Sequence, residues 1–331
     1  MSQRRVVVTG IGTINPLGNN IQEFFSNLDN GVNGVTLIDR FDVSKFKTRF
    51  ACQVKDFNPQ DYGIDYKEAR KLDRFSQYAI ASAYQAVSDS GMDLDSIDKS
   101  RVGVVLGTGI GGIETLCQEM EDYSRGDGTP RFSPFYITKI ITNIAPGWIS
   151  IKYGFTGPNF SVSSACASSS HAIIQAADLI KLGKADMILT GGAEAAISIA
   201  AVGGFNSARA LSTQNENIQQ ASKPFDANRD GFVMGEGAGI LILEDYDHAV
   251  ARGAKIYAEF AGSAMNSDSY HITAPHPEGK GAAKAMKMAL DDSLLSPEEV
   301  DYINVHGTST PLGDIAELAA IKTVFGESAY K

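Results

Sequence analysis

The chain has 331 residues, which is enough for one large α/β domain or for two halves. Hydrophobic residues make up 43% of it and charged residues 21%, so a large core can be buried and global disorder is excluded. The formal net charge of -10 disfavours a general nucleic-acid binder, which normally carries a basic excess. Apolar runs are too short to span a bilayer, and Met1–Val8 contains no recognisable leader, so we expect a cytoplasmic protein without membrane partners.

Strand-like apolar runs alternate with helical patterns along the chain, which is typical of an α/β fold. Strands are predicted at Arg4–Val8, Val102–Leu106, Phe160–Ser163, Asp186–Thr190, Gly239–Glu244, Ile256–Gly262 and Tyr302–Val305. Helices are predicted at Arg74–Ser90, Ile113–Tyr123, Cys166–Leu182, Gly281–Ser293 and Ile315–Phe325. The cysteines Cys52, Cys117 and Cys166 are odd in number and far apart, which fits neither a disulfide framework nor a zinc site and favours a reducing compartment.

A diverged internal repeat joins two parts of the chain. Gln85–Asp98 (QAVSDSGMDLDSID) aligns without a gap with Met288–Asp301 (MALDDSLLSPEEVD). Each copy is a predicted helix that leads to a predicted strand, and each strand ends in a Gly-Thr turn, at Gly107 and at Gly307. Chance similarity between two ordinary helix–strand units is the alternative explanation.

The repeat divides the chain into residues 1–250 and residues 251–331. Counterparts of the later strands of the first half are absent from the second, and a sheet without those strands would expose apolar edges. We therefore expect the second half to be incomplete.

Cys166 is the strongest candidate nucleophile. It lies in Phe160–His171 (FSVSSACASSSH), where a short predicted strand turns sharply into a helix. The unpaired N–H groups and the positive dipole at the start of a helix lower the pKa of a thiol and favour the thiolate. The pattern is typical of a nucleophile elbow with sulfur in place of oxygen, and a buried structural cysteine is the alternative.

His306 is the strongest candidate among the histidines. It follows the predicted strand Tyr302–Val305 in the segment HGTSTPLGD, and strand ends face the ligand crevice in α/β folds. A histidine there can donate a hydrogen bond to a carbonyl or to a developing enolate, and a satisfied turn histidine is the alternative. His271 lies in a loop that can line a pocket, whereas His171 is interpreted as a packing residue.

Two glycine-rich segments each allow two interpretations. Gly107–Gly112 formally matches the G-x-G-x-x-G pattern of dinucleotide-binding proteins, but no acidic residue stands at a second strand end, so a structural turn near the catalytic centre is favoured. Gly231–Gly239 fits either an anion-binding nest or close backbone packing.

A small basic cluster stands out in this acidic chain. It contains Lys67, Arg70, Lys71 and Arg74, and Arg131 and Arg209 are candidates to join it. A solvated helix face is the ordinary explanation, and a docking patch for an acidic partner is the functional one.

These residues together resemble the β-ketoacyl-[acyl-carrier-protein] synthases, and among them the elongating enzymes of type II fatty-acid synthesis. The segments that carry the resemblance are Arg5–Gly18, Gly107–Gly112, Ser161–Ser168, Gly191–Glu194, Gly203–Leu211, Pro224–Gly239 and His306–Asp314. The resemblance implies an α/β fold of the thiolase-like type, which is a duplicated five-layer αβαβα arrangement, with the second half incomplete here.

The resemblance also implies a role for each matched site residue. Cys166 would take the acyl chain from an acyl carrier protein as a thioester, and His306 would be one of two histidines that bind the malonyl thioester and stabilise its enolate. Substrate binding would further involve Ile110 along the acyl pocket, Phe205 in a gating loop, His271, and Thr308 and Thr310 at the phosphopantetheine arm. No metal or redox cofactor is required, because decarboxylation supplies the carbanion.

The resemblance implies two kinds of protein partner. The acidic acyl carrier protein would dock on Lys67, Arg70, Lys71, Arg131 and Arg209. A second copy of the chain would form a homodimer, with Phe160–Ser163 near the interface.

The chain departs from the family pattern in one respect. Family members carry, after the counterpart of His306, a lysine, a Gly-His pair with the second histidine, and a Gly-Phe-Gly-Gly loop, none of which is present here. We therefore expect the 331-residue chain to be impaired in condensation unless that region is supplied.

Other functions remain open at this point. A ketosynthase of a polyketide or other specialised pathway differs only in its acyl substrate, and a fragment that binds acyl carrier protein without turnover belongs to another class. A thiolase that uses coenzyme A and a dinucleotide oxidoreductase are less favoured.

Overall fold

The computed structural model describes residues 4–330. The strands, numbered along the chain, are β1 (Val6–Ile14), β2 (Thr36–Leu37), β3 (Phe50–Ala51), β4 (Val102–Gly107), β5 (Asn159–Val162), β6 (Met187–Glu194), β7 (Gly237–Asp245) and β8 (Ala258–Glu259). The helices are α1 (Ile21–Asp29), α2 (Tyr66–Ala69), α3 (Arg74–Asp89), α4 (Ile113–Arg125), α5 (Tyr136–Ile140), α6 (Ile144–Tyr153), α7 (Ser168–Lys181), α8 (Ile199–Ser207), α9 (Tyr246–Ala251), α10 (Lys280–Ser293) and α11 (Pro311–Phe325).

The chain forms two compact units. Unit 1 contains residues 4–41, Ala51–Val202 and Gly235–Phe260, and unit 2 contains Asp42–Phe50, Gly203–Met234 and residues 261–330. The predicted division into residues 1–250 and 251–331 follows the repeat rather than these units, and it stays a prediction. Across the residues that the structure describes, no helix combines the length and the apolar character needed to cross a membrane.

Unit 1 is built on a mixed sheet whose described strands follow the order β5-β4-β6-β7-β1-β8. β4 pairs in parallel with β5 and β6, whereas β7 runs antiparallel to both β6 and β1. Every residue of β4 is buried, because helices cover both faces of the sheet. A strand that is covered on both faces is a continuous apolar run, which is why Val102–Leu106 is predictable from the sequence.

Different helices cover the two faces of this sheet. Tyr78 of α3 and Ile149 of α6 share one core with Val104. Ile180 of α7 shares the other core with Val105. The neighbours Val104 and Val105 enter opposite cores because side chains alternate along a strand, and each fully buried side chain of this size contributes about 1.5–3 kcal/mol.

The first copy of the internal repeat ties the end of α3 to β1. Asp89 accepts a hydrogen bond from the Ile11 N–H at 2.9 Å, and Ser90 donates one to the Val87 carbonyl at 2.8 Å. Gly10 lies so close to this helix end that a Cβ atom there would lie 2.9 Å from the Cβ of Ser90.

The second copy repeats these contacts at the end of α10. Asp292 accepts a hydrogen bond from the Ser263 N–H at 2.8 Å, and Ser293 donates one to the Leu290 carbonyl at 3.0 Å. A Cβ atom on Gly262 would lie 2.8 Å from the Cβ of Ser293. The same contacts at matched positions confirm the duplication and exclude chance similarity.

Two predicted strands differ from the structure. Tyr302–Val305 is not a strand, because it pairs with no strand within residues 4–330. Ile256–Gly262 is reduced to Ala258–Glu259, which pairs with Val7 and Val8 of β1. A strand is defined by hydrogen bonds to a neighbour, and an apolar pattern in one segment does not show whether that neighbour is present.

Helix α6 is missed by the sequence pattern. Pro146 and Gly147 interrupt the apolar run and suggest a loop. In the structure Pro146 is the third residue of α6, within the first turn, where a backbone N–H has no helical partner and proline is tolerated.

Candidate active site

Cys166 lies at a sharp turn between a strand and a helix. β5 ends at Val162 and α7 begins at Ser168, with a single 3₁₀ turn over Ala165–Ala167 between them. Ala165 has a φ of 52°, which lies in the left-handed region and costs an L-residue about 1–2 kcal/mol. This strained reversal is the geometry of a nucleophile elbow, and it leaves Cys166 exposed.

Side chains of α7 hold the elbow in this conformation. The buried Oγ of Ser168 accepts a hydrogen bond from the Ser164 N–H at 2.9 Å and donates one to the Ala165 carbonyl at 2.7 Å. The Oγ of Ser164 and the Nδ1 of His171 share a hydrogen bond of 2.8 Å. His171 therefore does more than pack, because it binds the turn that presents Cys166.

The start of α7 lies directly against the end of β4. A Cβ atom on Gly107 would lie only 2.3 Å from the backbone carbon of Ser168, so only glycine allows this approach. The close contact brings the Gly107–Gly112 loop beside the elbow, as the structural interpretation of this motif requires.

The Gly107–Gly112 loop is bound to Glu194, the last residue of β6. The carboxylate accepts hydrogen bonds from the Gly109 N–H at 2.8 Å and from the Ile110 N–H at 3.0 Å. Burial raises the pKa of Glu194. Because these N–H groups already bind a carboxylate, the loop favours the packing interpretation over the phosphate-binding one. The side chain of Ile110 is 41% exposed.

The second glycine-rich segment also favours packing. Glu236 lies within it, pairs with Arg40, and accepts hydrogen bonds from the Val54 N–H at 2.9 Å and the Tyr78 hydroxyl at 3.1 Å. The negative charge within this segment is therefore supplied by the carboxylate of Glu236.

His306 lies in unit 2, on a loop that a second carboxylate binds. The Oε1 and Oε2 atoms of Glu317 accept hydrogen bonds from the N–H groups of His306 at 2.6 Å and of Gly307 at 2.8 Å. Gly307 has a φ of 46° and Ser309 a φ of 65°, so the loop makes two left-handed turns. The side chain of His306 is exposed.

Asp314 also binds the backbone of this loop. This buried carboxylate accepts hydrogen bonds from the Ser309 N–H at 3.0 Å and the Phe225 N–H at 2.7 Å, and it lies 3.1 Å from the Nε of Arg229. Arg229 also donates to the Thr310 carbonyl at 3.0 Å. These contacts fix the backbone on which the predicted binding residues stand.

The remaining predicted binding residues also lie in unit 2. The hydroxyls of Thr308 and Thr310 share a hydrogen bond of 2.9 Å. Phe205, in α8, packs edge-on against Phe232 with ring centroids 5.2 Å apart. The Nδ1 of His271 accepts hydrogen bonds from two N–H groups of its own loop, so this histidine shapes the loop in which it lies.

The predicted basic cluster differs from its sequence pattern at one residue, Arg74. Lys67, Arg70 and Arg131 are exposed and Lys71 is half-buried in unit 1, whereas the exposed Arg209 belongs to unit 2. Arg74 is engaged elsewhere. Its guanidinium binds Glu114 with hydrogen bonds of 2.8 and 3.1 Å, on the wall of a polar cavity of about 290 Å³.

Four residues that hold the candidate site are not singled out by the sequence. They are Ser168, Glu194, Asp314 and Glu317. Glu194 and Asp314 accept backbone N–H groups of segments far away in the chain, which no spacing rule connects with them. Ser168 and Glu317 bind the turns that come shortly before them in the chain. Within residues 4–330 no cluster of His, Cys, Asp and Glu side chains is arranged to hold a metal ion.

A helix-covered sheet, a duplicated helix–strand unit and a cysteine at a strand–helix elbow together define a thiolase-like fold. The chain matches two family models, the β-ketoacyl synthase N-terminal domain over residues 3–249 and the C-terminal domain over residues 257–331. It therefore belongs to the β-ketoacyl synthase family, whose members are condensing acyltransferases.

Individual relatives agree with this assignment. The chain is 47% identical over 330 residues to 3-oxoacyl-[acyl-carrier-protein] synthase 2 of Staphylococcus aureus, with 99% of this chain and 79% of the relative covered. A β-ketoacyl synthase structure from Burkholderia phymatum is 36% identical with a TM-score of 0.89, over 98% of this chain and 79% of that chain. A type II polyketide synthase acyl-carrier protein in complex with its ketosynthase, bound to the hexaketide, is 35% identical with a TM-score of 0.84, over 99% and 79%.

Proposed function

We propose that the chain catalyses the decarboxylative condensation of an acyl chain with a malonyl group, both carried by acyl carrier protein, in fatty-acid elongation. The observation that carries the proposal is the exposed Cys166 directly after the left-handed Ala165. The 47% identity to a relative named 3-oxoacyl-[acyl-carrier-protein] synthase 2 supports it.

The proposed reaction has two steps. In the first, the Cys166 sulfur attacks the thioester carbonyl of the acyl carrier protein, a new thioester forms on the cysteine, and the carrier thiol leaves. In the second, the malonyl thioester loses CO₂, and the carbon of the resulting enolate attacks the acyl-cysteine carbonyl. The products are 3-oxoacyl carrier protein, CO₂ and the regenerated cysteine, so atoms and electrons balance without an oxidant.

We assign the second step to residues of the His306 loop. His306 donates a hydrogen bond to the enolate oxygen, where negative charge develops. The hydroxyls of Thr308 and Thr310 bind the phosphopantetheine arm. The backbone contacts of Glu317 support this assignment, because a preorganised donor has no reorganisation to complete during the reaction.

We assign the acyl chain to a pocket that Ile110 borders, and we assign Phe205 and His271 to the entry of the substrates. The exposed side chain of Ile110 supports its contact with an apolar ligand, because its own backbone is held and its side chain is not yet covered. A long alkyl chain gains about 0.8 kcal/mol for each CH₂ group that such a pocket buries.

The carrier protein docks, in this proposal, on Lys67, Arg70, Lys71, Arg131 and Arg209. The exposed side chains of α2 and its C-terminal end support this in unit 1, where the Lys71 ammonium lies 5.6 Å from the ring of Phe135. Charge reversal of Lys67 and Arg70 to glutamate is expected to raise the KM for the carrier protein at least about tenfold with little change in kcat. The same change at the exposed Lys184 serves as the control.

The mass of the intact protein tests the chemistry. After incubation with acyl carrier protein loaded with a radiolabelled or long acyl group, the protein is expected to gain one acyl mass, and Cys166→Ala is expected to gain none. Cys117→Ala, whose thiol is half-buried near Ser198, is the matched control and should be acylated like the parent. An adduct that persists in Cys166→Ala would overturn the proposal.

We also propose that two copies of the chain form a homodimer through the β5 edge of the sheet. β5 is the last strand of the described sheet, and an open edge is a template for another strand. Helix α6 packs on β5, α5 packs on α6, and α4 packs on α5. Exposed apolar side chains on α4 and α5 support the proposed contact, namely Leu116, Met120 and Ile137. Light scattering is expected to give about twice 35.3 kDa, and Ile137→Asp is expected to reduce it to the monomer mass.

A further inference from the structure

Glu194 is a carboxylate whose described partners belong to one short loop. Its Oε2 accepts the N–H groups of Gly109 at 2.8 Å and of Ile110 at 3.0 Å, and its Oε1 accepts the Thr108 hydroxyl at 3.4 Å. Thr108 in turn accepts the Gly111 N–H at 3.2 Å. The Glu194 carboxylate therefore binds three consecutive residues, Thr108, Gly109 and Ile110. It holds Gly111 indirectly, through the hydroxyl of Thr108.

This loop connects the carboxylate with two proposed site residues. The Gly109 carbonyl accepts a hydrogen bond from the Ser163 hydroxyl at 3.3 Å, and a Cβ on Gly109 would lie 3.7 Å from the Cα of Ala165, the residue before Cys166. Ile110 is the next residue, and its N–H is bound directly by Glu194.

The loop has few other restraints between its two ends. Its far end is fixed by the Gly112 N–H, which donates to the Ile140 carbonyl at 3.3 Å. Between these ends the chain contains Gly109 and Gly111, whose backbones adopt many conformations at low energy. Without the carboxylate, the N–H groups of Gly109 and Ile110 lose their acceptor, and the loop can change conformation without disturbing the sheet.

We propose that Glu194 is a positioning residue that sets the acyl-chain selectivity of the enzyme by fixing the backbone of Ile110. The proposal rests on the proposed function, in which the acyl chain passes Ile110 on its way from Cys166. A long chain contacts Ile110 and responds directly to its position, whereas a short chain attached to Cys166 depends on the loop only through the contacts of Gly109 with Ser163 and Ala165. Loss of Glu194 should therefore change the ratio of long-chain to short-chain turnover more than it changes short-chain turnover.

The test measures acyl transfer to Cys166 from palmitoyl and from butyryl carrier protein, in the 331-residue chain and in three variants. It therefore does not depend on the condensation step, in which the chain is expected to be impaired. In Glu194→Ala the ratio of kcat/KM for palmitoyl over butyryl is expected to fall at least about tenfold, which corresponds to about 1.4 kcal/mol. Glu194→Gln keeps an oxygen acceptor for the two N–H groups and is expected to restore most of the ratio. Glu23→Ala is the matched control, because that exposed carboxylate accepts the Asn19 N–H at 2.9 Å in a turn without proposed site residues.

Each outcome decides between the inference and the proposed function. A reduced ratio in Glu194→Ala, recovered in Glu194→Gln and unchanged in Glu23→Ala, supports the inference. An unchanged ratio in an active Glu194→Ala overturns the inference and leaves the proposed function intact. If the parent chain transfers neither acyl group, the proposed function fails, and the inference fails with it. If circular dichroism shows that Glu194→Ala does not fold, Glu194→Asp is measured in its place. The aspartate keeps the charge, but its side chain is one methylene shorter, so the carboxylate lies farther from the two N–H groups.

Discussion

The two Gly-Thr loops that end the repeat copies are each held by a carboxylate. In the first loop the carboxylate comes from a strand, and in the second it comes from a helix. In the first loop, the N–H groups of Gly109 and Ile110 bind Glu194, and in the second, the N–H groups of His306 and Gly307 bind Glu317. In both, a carboxylate takes backbone donors that a bend in the chain leaves without partners. The loops then present different side chains, an apolar one in the first and an imidazole in the second.

The two carboxylates differ in how far along the chain they lie from the loops that they bind. Glu194 is the last residue of β6, 85 positions from Gly109, so the first loop forms only when the sheet has assembled. Glu317 is in the helix that directly follows its loop, 11 positions from His306. The second loop can thus be held without a paired strand, which agrees with the absence of pairing for residues 302–305 in the described chain.

The largest loss of stability is expected when Asp314 is replaced. Among the described contacts of the first loop, no second carboxylate corresponds to Asp314. Asp314→Ala leaves the N–H groups of Ser309 and Phe225 without their acceptor and the guanidinium of Arg229 without its carboxylate. Removal of one partner of a buried ion pair costs about 3–5 kcal/mol. Urea denaturation measures this loss, and a change below about 1 kcal/mol would mean that the second loop does not depend on this anchor.

A smaller effect tests whether the two copies share one scaffold. A Cβ on Gly10 would lie 2.4 Å from the Ala86 carbonyl, and one on Gly262 would lie 2.5 Å from the Ser293 nitrogen. Each alanine variant is expected to lower the free energy of unfolding by about 1–3 kcal/mol, because backbone atoms must move to admit the methyl group.

The control for this pair is Gly147→Ala. Gly147 lies in α6 with no atom within 4 Å of an added Cβ, so the change should stabilise the protein by about 0.5–1 kcal/mol. The equivalence of the copies would be contradicted if Gly10→Ala destabilised the protein and Gly262→Ala behaved like the control.

The sequence predicted the parts of this comparison that depend on local pattern. The repeat, the helices that begin near Arg74 and Lys280, and the turn at Cys166 follow from apolar periodicity and from small residues at a strand–helix junction. The left-handed Ala165 was not predictable, because alanine carries no signal for a positive φ and adopts one only when surrounding contacts impose it.

The carboxylates that hold the two loops were not predictable for a different reason. Glu194 ends a strand and Glu317 lies in a helix, and each resembles many exposed acidic residues of this chain until the fold brings it to a loop. The same reason explains the wrong strand at Tyr302–Val305, since pairing depends on a neighbour rather than on the segment itself.

The smallest effect concerns the pH dependence that is expected of the first loop. Burial raises the pKa of Glu194 above its ordinary value of 4.5, so at neutral pH the ionised carboxylate costs the folded state more than the unfolded chain. As the pH falls through the raised pKa toward 4.5, the folded state binds the proton first and its stability rises. Glu194→Gln cannot titrate, so the stability of the parent relative to this variant should increase on acidification from pH 7 to about 4.5. Urea denaturation at several pH values measures the difference, and a difference that stays constant would show that the carboxylate is not desolvated by its loop.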